Sequence, residues 1–307
     1  MILCFDIGGS WIKSAVARSA DDIAIGDKHP TPLEDFAAFA DILKAKLDGL
    51  PERPQCVAIS MTGVVDPDSG VITCANIPCI DQRRLAGDLE ARLGVPVLVA
   101  NDADCFVLAE AGQGAGRNNR IVLGIILGSG VGGGLVVDGR LANAAGGFAG
   151  EWGHGPIIAQ AAGDPPVAIP AYPCTCGQKG CVNTVGGARG LERLHGLIHG
   201  VDLPSTEIVA GWEADEPNAT RTVDVYVDLL SSPLALAINI TGATIVPAGG
   251  GLANSAALLT EIDKTVRNRI LRRFDRPLIV RAQCDIEPGL VGAAMLGLEH
   301  IRNGVEH

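Results

Sequence analysis

The sequence predicts an α/β protein in which one structural plan is used twice. Three observations carry this. At 307 residues the chain exceeds the comfortable size of a single hydrophobic core, so two lobes or one large α/β domain are expected. Short apolar, β-branched segments alternate with segments whose apolar residues recur at steps of three and four, as strands interleaved with amphipathic helices do. The opening arrangement of strand, glycine turn and strand also reappears near residue 115.

Taken in order, "ILCFD", "GGS" and "IKSAVA" read as two strands joined by a tight glycine turn. In "EDFAAFADILKAKL", Phe36, Phe39, Leu43 and Leu47 share one helix face, with acids in the first turn and Gly49 just past the end. Further strands are expected in "QCVAIS" (55–60), "GVIT" (70–73) and "VPVLVA" (95–100), with a helix marked by Leu85, Leu89 and Leu93 between the last two. "NNRIVLGIILGSGVGGGLVVDGRL" then restarts the plan with two strand candidates around a glycine-rich turn. A helical stretch around 222–240 follows, then "TIVPAGGG" (244–251) as strand and turn, a helix over about 254–272, the strand "PLIVRA" (277–282) and a closing helix. No low-complexity linker or short-period repeat separates these elements.

Composition excludes several function classes. With 24 basic and 35 acidic residues the formal charge is −11, so the chain lacks the electrostatic footprint for nucleic acid or anionic membranes. The N-terminal "MILCFDIGGS" has no basic region followed by an apolar stretch, and no run of about 18 apolar residues is read, so a cytoplasmic location is expected. Of nine cysteines, Cys4, Cys56, Cys74, Cys79, Cys105 and Cys284 stand in mainly apolar contexts and are expected as small core residues. The other three cluster in "CTCGQKGC" (174–181).

Polyphosphate is bound best by convergent backbone N–H groups, and glycine lets the chain approach the anion without obstruction. Three candidate turns follow apolar strands: Gly8-Gly9-Ser10, Gly128-Ser129-Gly130 with its continuation Gly132-Gly133-Gly134, and Gly249-Gly250-Gly251. A single such turn is ordinary hairpin chemistry, whereas three point to a nucleotide. Neither a P-loop nor a dinucleotide fingerprint fits, because "GxxxxGK[ST]" is absent and the first turn enters a strand instead of a helix.

"DIGGSWIKSAVA", "NDADC", "LGSGVGGGLVVDGRL", "GEWGH" and "CTCGQKGC" occur in the order found in ROK sugar kinases, and the chain resembles that family over residues 2 to about 300. The resemblance implies an actin-like ATPase (ribonuclease H-like) fold, with two lobes around an ATP/sugar cleft. The lobes are expected over 1–114, completed by the closing helix at about 290–307, and over 115–289. By the resemblance Asp6 holds Mg²⁺ through water, the first two glycine turns face the ATP phosphates, and Gly249 to Gly251 border the adenosine. Lys13 matches a position often held by a basic residue.

Asp102 is the residue expected to do chemistry. It follows "VPVLVAN" at a strand end leading into a helix, where the family carries its catalytic base. Transfer of the γ-phosphoryl group needs an acceptor for the hydroxyl proton, together with positioning and charge neutralisation. The alternative role for Asp102 is to cap the following helix, and both roles are compatible. Asp104 is expected to be only a first-turn acid favoured by the helix dipole.

Cys174, Cys176 and Cys181 offer three soft ligands, and structural Zn²⁺ requires four. His154 in "GEWGH" is the candidate fourth, and the resembling family uses that histidine with the three cysteines. A disulfide within the triplet would leave an odd thiol and suit an oxidising compartment. A nucleophilic cysteine would need an activating base, and phosphoryl transfer of this type has no covalent step for it. With one imidazole nitrogen on Zn²⁺ the other is left to meet a substrate hydroxyl, and Glu151 would accept from neighbouring hydroxyls. Asn76 and Asn101 match family positions that contact the sugar.

The sequence departs from the family at three places. Asn183 stands where the family usually has a glutamate that touches the sugar, so Asn183 is expected to face the substrate with one hydrogen bond altered. Trp11 follows the first turn where lysine or asparagine is common. The segment "GPIIAQAAGDPPVAIPAYP" between His154 and Cys174 is longer than usual and is expected as an irregular excursion.

The resulting expectation is an ATP- and Mg²⁺-dependent kinase acting on the 6-hydroxyl of glucose or of an N-acetylhexosamine such as N-acetylglucosamine or N-acetylmannosamine, working as a homodimer or homotetramer without nucleic-acid or membrane partners. A sugar-responsive regulator of the same family would carry a preceding DNA-binding segment, for which the position of Asp6 leaves no room. A sugar-binding protein with decayed chemistry is motivated by Trp11 and Asn183 and opposed by Asp6, Asp102 and the three turns.

Overall fold

A computed structural model describes residues 1–143, 146–284 and 286–305. The chain divides into two compact units, the first comprising Met1–Arg117, Leu135–Ala149 and Cys284–His307, the second Asn118–Gly134 and Gly150–Gln283.

Unit 1 is built on β1 (Ile2–Ile7), β2 (Trp11–Ser19), β3 (Asp22–Pro30), β4 (Cys56–Met61) and β7 (Val97–Asn101), in the sheet order β3-β2-β1-β4-β7. A small ribbon of β5 (Val64–Val65) and β6 (Ile72–Thr73) stands apart. The predicted hairpin is present, with Asp6 opposite Lys13. Strands β1, β4 and β7 run parallel, with Asp6 level with Ser60, and Ser60 with Ala100. Successive side chains of a strand point to opposite faces. Accordingly Leu3, Phe5 and Ile7 share a core with Phe39, Leu43 and Leu89 of α1 (Phe36–Asp48) and α2 (Leu85–Leu93). Ile2 and Cys4 pack instead on Leu290, Ala293 and Ala294 of the closing helix α8 (Pro288–Val305). Helix α3 (Asp102–Gly112) meets α8 where Gly292 lies against the Cys105 backbone, with no room for a side chain.

Two sequence expectations are corrected here. Strand β3 was not anticipated, because most of its residues are exposed and its sequence, DIAIGDKHP, shows no sustained apolar alternation. The acid expected in the first turn of α1 lies outside it: Asp35 is the N-cap and accepts from the N–H groups of Ala37 and Ala38, 2.8 and 3.1 Å away. Of the six isolated cysteines, Cys4, Cys56, Cys74 and Cys105 are buried, while Cys79 and Cys284 are half-buried.

The second sheet has the order β10-β9-β8-β13-β14, from β8 (Ile121–Leu127), β9 (Val131–Val137), β10 (Arg140–Leu141), β13 (Val246–Gly249) and β14 (Ile279–Arg281). The chain passes from unit 2 to unit 1 within β9. Strand β13 is parallel to β8 and to β14. Each five-stranded sheet therefore places a strand–turn–strand arm beside parallel strands, the duplication read from the sequence. Unit 2 is completed by α4 (Ala188–His199), α5 (Ser205–Glu213), α6 (Pro217–Thr241) and α7 (Ala256–Arg267). The helix expected over about 254–272 is shorter, a 3₁₀ turn at Gly251–Asn254 preceding α7. Asp263 of α7 is buried and accepts from the N–H groups of Leu278 and Ile279 at the entry to β14, 2.8 and 2.9 Å away.

Among the described residues one helix, α6, the helical stretch expected around 222–240, is long and apolar enough to cross a membrane by length and composition. Of its most apolar window, 61% is buried inside the protein, as in a core helix. The segment between His154 and Cys174 is more regular than expected. It contains the hairpin β11 (Ala161–Ala162) and β12 (Val167–Ala168), held to α6 by the Gly163 N–H on Asp228 and by Arg221 on the carbonyls of Asp164 and Pro165.

Candidate active site

In unit 1 the parallel register brings Asp6, Ser60 and the Asn101–Asp102 pair to the carboxyl ends of adjacent strands, the edge of an α/β sheet where ligands bind. Ser60 donates to Asp6 Oδ1 at 3.0 Å, and Lys13 Nζ lies 3.8 Å from Asp6 and 2.5 Å from Glu287. Gly289, in the first turn of α8, leaves the space into which the Asp6 carboxylate projects. Burial lifts the Asp6 carboxyl above its ordinary value, opposed by the Ser60 hydrogen bond and Lys13, while the charge of Glu287 adds to the lift.

The Gly8-Gly9-Ser10 turn is closed by the Gly8 N–H on the Trp11 carbonyl and braced by Thr31, whose hydroxyl donates to the Gly8 carbonyl at 2.7 Å and whose N–H donates to Ser10. A side chain at Gly9 would stand 3.3 Å from the Asn76 carbonyl, so Asn76 borders the same turn. Trp11 is 42% exposed, with the Lys28 ammonium 4.5 Å over its ring.

Asn101, not Asp102, is the N-cap of α3: its Oδ1 accepts from the Ala103 N–H at 2.8 Å, and its Nδ2 donates to the Gly63 carbonyl. Asp102 is the first helical residue, exposed, and also accepts from Ala103. Asp104 does more than sit in the helix dipole: it is buried and accepts from Asn143, which in turn exchanges hydrogen bonds with Ala149. Cys105 between them is fully buried. Desolvation pushes its thiol well above the ordinary range against a Ser60 hydrogen bond, and the charges of Asp104, Asp6 and Asp102 add to the rise, which places all three carboxylates in one neighbourhood.

In unit 2 the Gly128-Ser129-Gly130 turn is clamped from several sides. The N–H groups of Ala188 and Arg189, at the start of α4, donate to the carbonyls of Gly128 and Ser129. A Cβ at Gly187 would lie 2.5 Å from the Gly130 backbone, and one at Gly250 2.5 Å from Leu127. Gly250 also has φ +89, a conformation only glycine adopts without strain. Gly132 to Gly134 lie within β9, where the "GEWGH" segment covers them: Trp152 donates to the Gly132 carbonyl at 2.9 Å, and Gly150 and Trp152 occupy the space a side chain at Gly133 would need. A cavity of about 510 Å³ opens beside Gly251, lined also by Ala188, Ser205, Val209, Glu213 and Ser255.

His154, Cys174, Cys176 and Cys181 come together, with their ligand atoms all within 4.8 Å of one another. Cys176 Sγ is 3.6 Å from Cys181 Sγ, and Cys174 Sγ is 3.7 Å from His154 Nδ1. Zn–S and Zn–N bonds of about 2.3 and 2.0 Å in a tetrahedron require separations of about 3.8 Å between sulfurs and about 3.5 Å between sulfur and nitrogen. The donor set and its spacing fit Zn²⁺. The other ring nitrogen, Nε2, faces Glu151 at 3.7 Å. Burial opposes ionisation of Cys174, but hydrogen bonds from the Cys176 N–H and from Cys176, Asn183 and Cys181 side chains outweigh it and draw this thiol down to about 6, a value suited to a metal ligand. Burial takes Cys181 the other way, up to about 11. Asn183 is bonded on both sides of its amide, Oδ1 to the Val131 N–H at 2.9 Å and Nδ2 to Cys174 Sγ at 3.7 Å.

A protein-family model described as the ROK family matches residues 2–300. The chain belongs to the ROK family. It is 35% identical over 299 residues to an N-acetylgalactosamine kinase of Shewanella sp. (strain ANA-3), covering 95% of each chain, and 32% identical over 301 residues to an N-acetyl-D-glucosamine kinase of Pasteurella multocida (strain Pm70), covering 96% of this chain and 98% of the relative. Among solved structures it is similar to the ROK hexokinase of Thermus thermophilus, with a TM-score of 0.84, 26% identity and 99% of each chain covered. The two-sheet architecture of this ROK chain is accordingly the actin-like ATPase fold.

Residues that sequence reasoning missed are Ser60, Glu287 and Gly289 around Asp6, and Thr31 on the first turn. Pro288 is a recognisable first-helical-position signal, but nothing in the sequence ties the start of the closing helix to a strand nearly the whole chain away.

Proposed function

We propose that this ROK protein is an ATP-dependent kinase that phosphorylates the 6-hydroxyl of an N-acetylhexosamine, with the parent hexose as a poorer substrate. The observation that carries the reading is the presence of Asp6 and Asp102 at the carboxyl ends of parallel strands in one sheet, with the capping role at α3 taken by Asn101. The N-acetylhexosamine preference is supported by the two curated relatives, both kinases of such sugars.

In this reading Asp102 accepts the proton of the attacking sugar hydroxyl, which needs a carboxylate held in position more than it needs a strong base. Asp6, fixed by Ser60, is the anchor for Mg²⁺ through water, and the ion supplies charge neutralisation at the phosphates when bound. Within unit 1 the Gly9 and Ser10 N–H groups, the Gly8 N–H being taken by Trp11, and within unit 2 the N–H groups of the Gly128–Gly130 turn are assigned to phosphate oxygens. The cavity beside Gly251 takes the adenosine, its size suiting a nucleoside-sized ligand. His154 Nδ1 belongs to the zinc set, which fixes the ring so that Nε2 and Glu151 meet sugar hydroxyls. Within unit 1, Asn76 and Asn101 are assigned to sugar recognition.

An ATP-coupled assay over N-acetylglucosamine, N-acetylgalactosamine, N-acetylmannosamine and their parent hexoses tests the reading. Turnover highest for an N-acetyl sugar is expected. Asp102→Asn keeps the shape and removes the proton acceptor, so kcat falls by about 10²-fold or more with sugar binding retained. Retention of more than about a tenth of kcat would refute the assignment of Asp102.

A further inference from the structure

We infer that Asn183 is a positioning residue whose amide braces the end of the Gly128–Gly130 turn against the Cys174 thiolate, so that metal occupancy and turn geometry are linked through one side chain. The inference rests on the zinc reading above and replaces a sugar contact with a different task.

The geometry is specific to an amide. Asn183 follows the last cysteine in a 3₁₀ turn, Val182–Thr184, and its own N–H donates to the Gly153 carbonyl in the "GEWGH" segment at 2.8 Å. Its backbone is therefore fixed by two of the segments that carry metal ligands. From there Oδ1 accepts from Val131 N–H and Nδ2 donates to Cys174 Sγ. An aspartate would keep the acceptor and lose the donor, setting a negative charge beside a thiolate. Even a methyl group at position 130 would collide with Oδ1, so turn and amide are packed in contact. Donors to ligating sulfurs orient the ligand and disperse its charge, and their loss typically weakens metal binding by about 10–100-fold.

The test uses zinc itself, titrated against a chromophoric chelator on the wild-type chain, Asn183→Asp and Asn183→Ala, with KM for ATP and for the sugar measured on each. Asn183→Asp is expected to lose about 10–100-fold in zinc affinity with KM for ATP held, because the acceptor toward Val131 remains. Asn183→Ala is expected to lose zinc affinity and also to raise KM for ATP about tenfold, the effect of one lost hydrogen bond. With zinc saturating in the kinetic assays, KM for the sugar stays level in both. Zinc bound equally by all three chains, or a change confined to the sugar KM, would overturn the brace. A wild-type chain that binds no zinc would overturn the zinc reading and the brace with it. Should a variant fold poorly, the wild-type chain loaded with Co²⁺ decides: a non-hydrolysable ATP analogue that binds should shift the thiolate-to-cobalt band, and binding without a shift overturns the link.

Discussion

Backbone packed on backbone beside the Gly128–Gly130 turn yields the sharpest prediction, Gly187→Ala. Gly187 is the N-cap of α4 with φ −99 and ψ −176, extended backbone that alanine also adopts, so the substitution imposes no conformational strain. Its effect is steric. The new Cβ would lie 2.5 Å from the Cα and carbonyl oxygen of Gly130. These are backbone atoms, so no side chain can swing aside, and the turn must withdraw by about 1 Å to reach ordinary van der Waals contact. Overpacking of this kind costs about 1–3 kcal/mol, which lowers Tm by roughly 2–12 °C for a unit of this size. A 1 Å displacement of a positioning group costs about 10²-fold in rate, so kcat/KM for ATP should fall by that order in a coupled assay. If kcat/KM for ATP stays within about threefold of wild type while Tm falls, the turn is packed as described but does not hold the nucleotide. If neither changes, the packing argument itself is wrong.

The remaining predictions concern other residues. Gly87→Ala, in the exposed part of α2 with open space around it, should stabilise the chain by about 0.5–1 kcal/mol without altering turnover, measured by denaturant titration. Tyr226→Phe removes the donor to the Gly186 carbonyl in a fully buried site and should cost about 1–3 kcal/mol in the same measurement. Metal analysis of protein purified without added zinc should find one Zn²⁺ per chain. Chelation or Cys176→Ser should lower Tm and abolish turnover, and active enzyme with a stoichiometry near zero would refute the site.

What the sequence made legible was chemistry carried by short, contiguous patterns. The three glycine turns, the cysteine triplet and Asp102 after a strand end were readable because each pattern is short and contiguous, whereas His154, twenty residues before Cys174, was tied to the triplet by the family resemblance. Strand β3 was not readable, since a largely exposed strand with a mixed sequence has no sustained apolar face to betray its period. Nor were the surroundings of Asp6: Ser60 bonds to it only through sheet register, and Glu287 reaches its neighbour Lys13 only through the return of the last helix. Asn183 shows the same limit differently. Its identity and its departure from the family were visible, but the direction of its amide depends on Val131, 52 residues earlier in the chain.

The duplicated plan also explains why its two glycine turns should respond differently to change. The Gly8–Ser10 turn is held chiefly by hydrogen bonds from Thr31, and a side chain at Gly8 would meet nothing within 4 Å. The Gly128–Gly130 turn is held by backbone stacked on backbone at Gly187 and Gly250 and by the Asn183 amide, which leaves no room for a side chain at Gly130, while one at Gly128 would meet only Ile126 at 3.8 Å. Hydrogen-bonded support yields by lengthening and loses about 1 kcal/mol per bond, whereas close-packed backbone has no soft coordinate and transmits a displacement whole. The second turn is thus the stiffer of the two, and it is the one connected to the cysteine cluster. A metal held by the cysteine cluster would therefore act most strongly on an element that cannot absorb a shift, which by the proposal above is the Gly128–Gly130 turn.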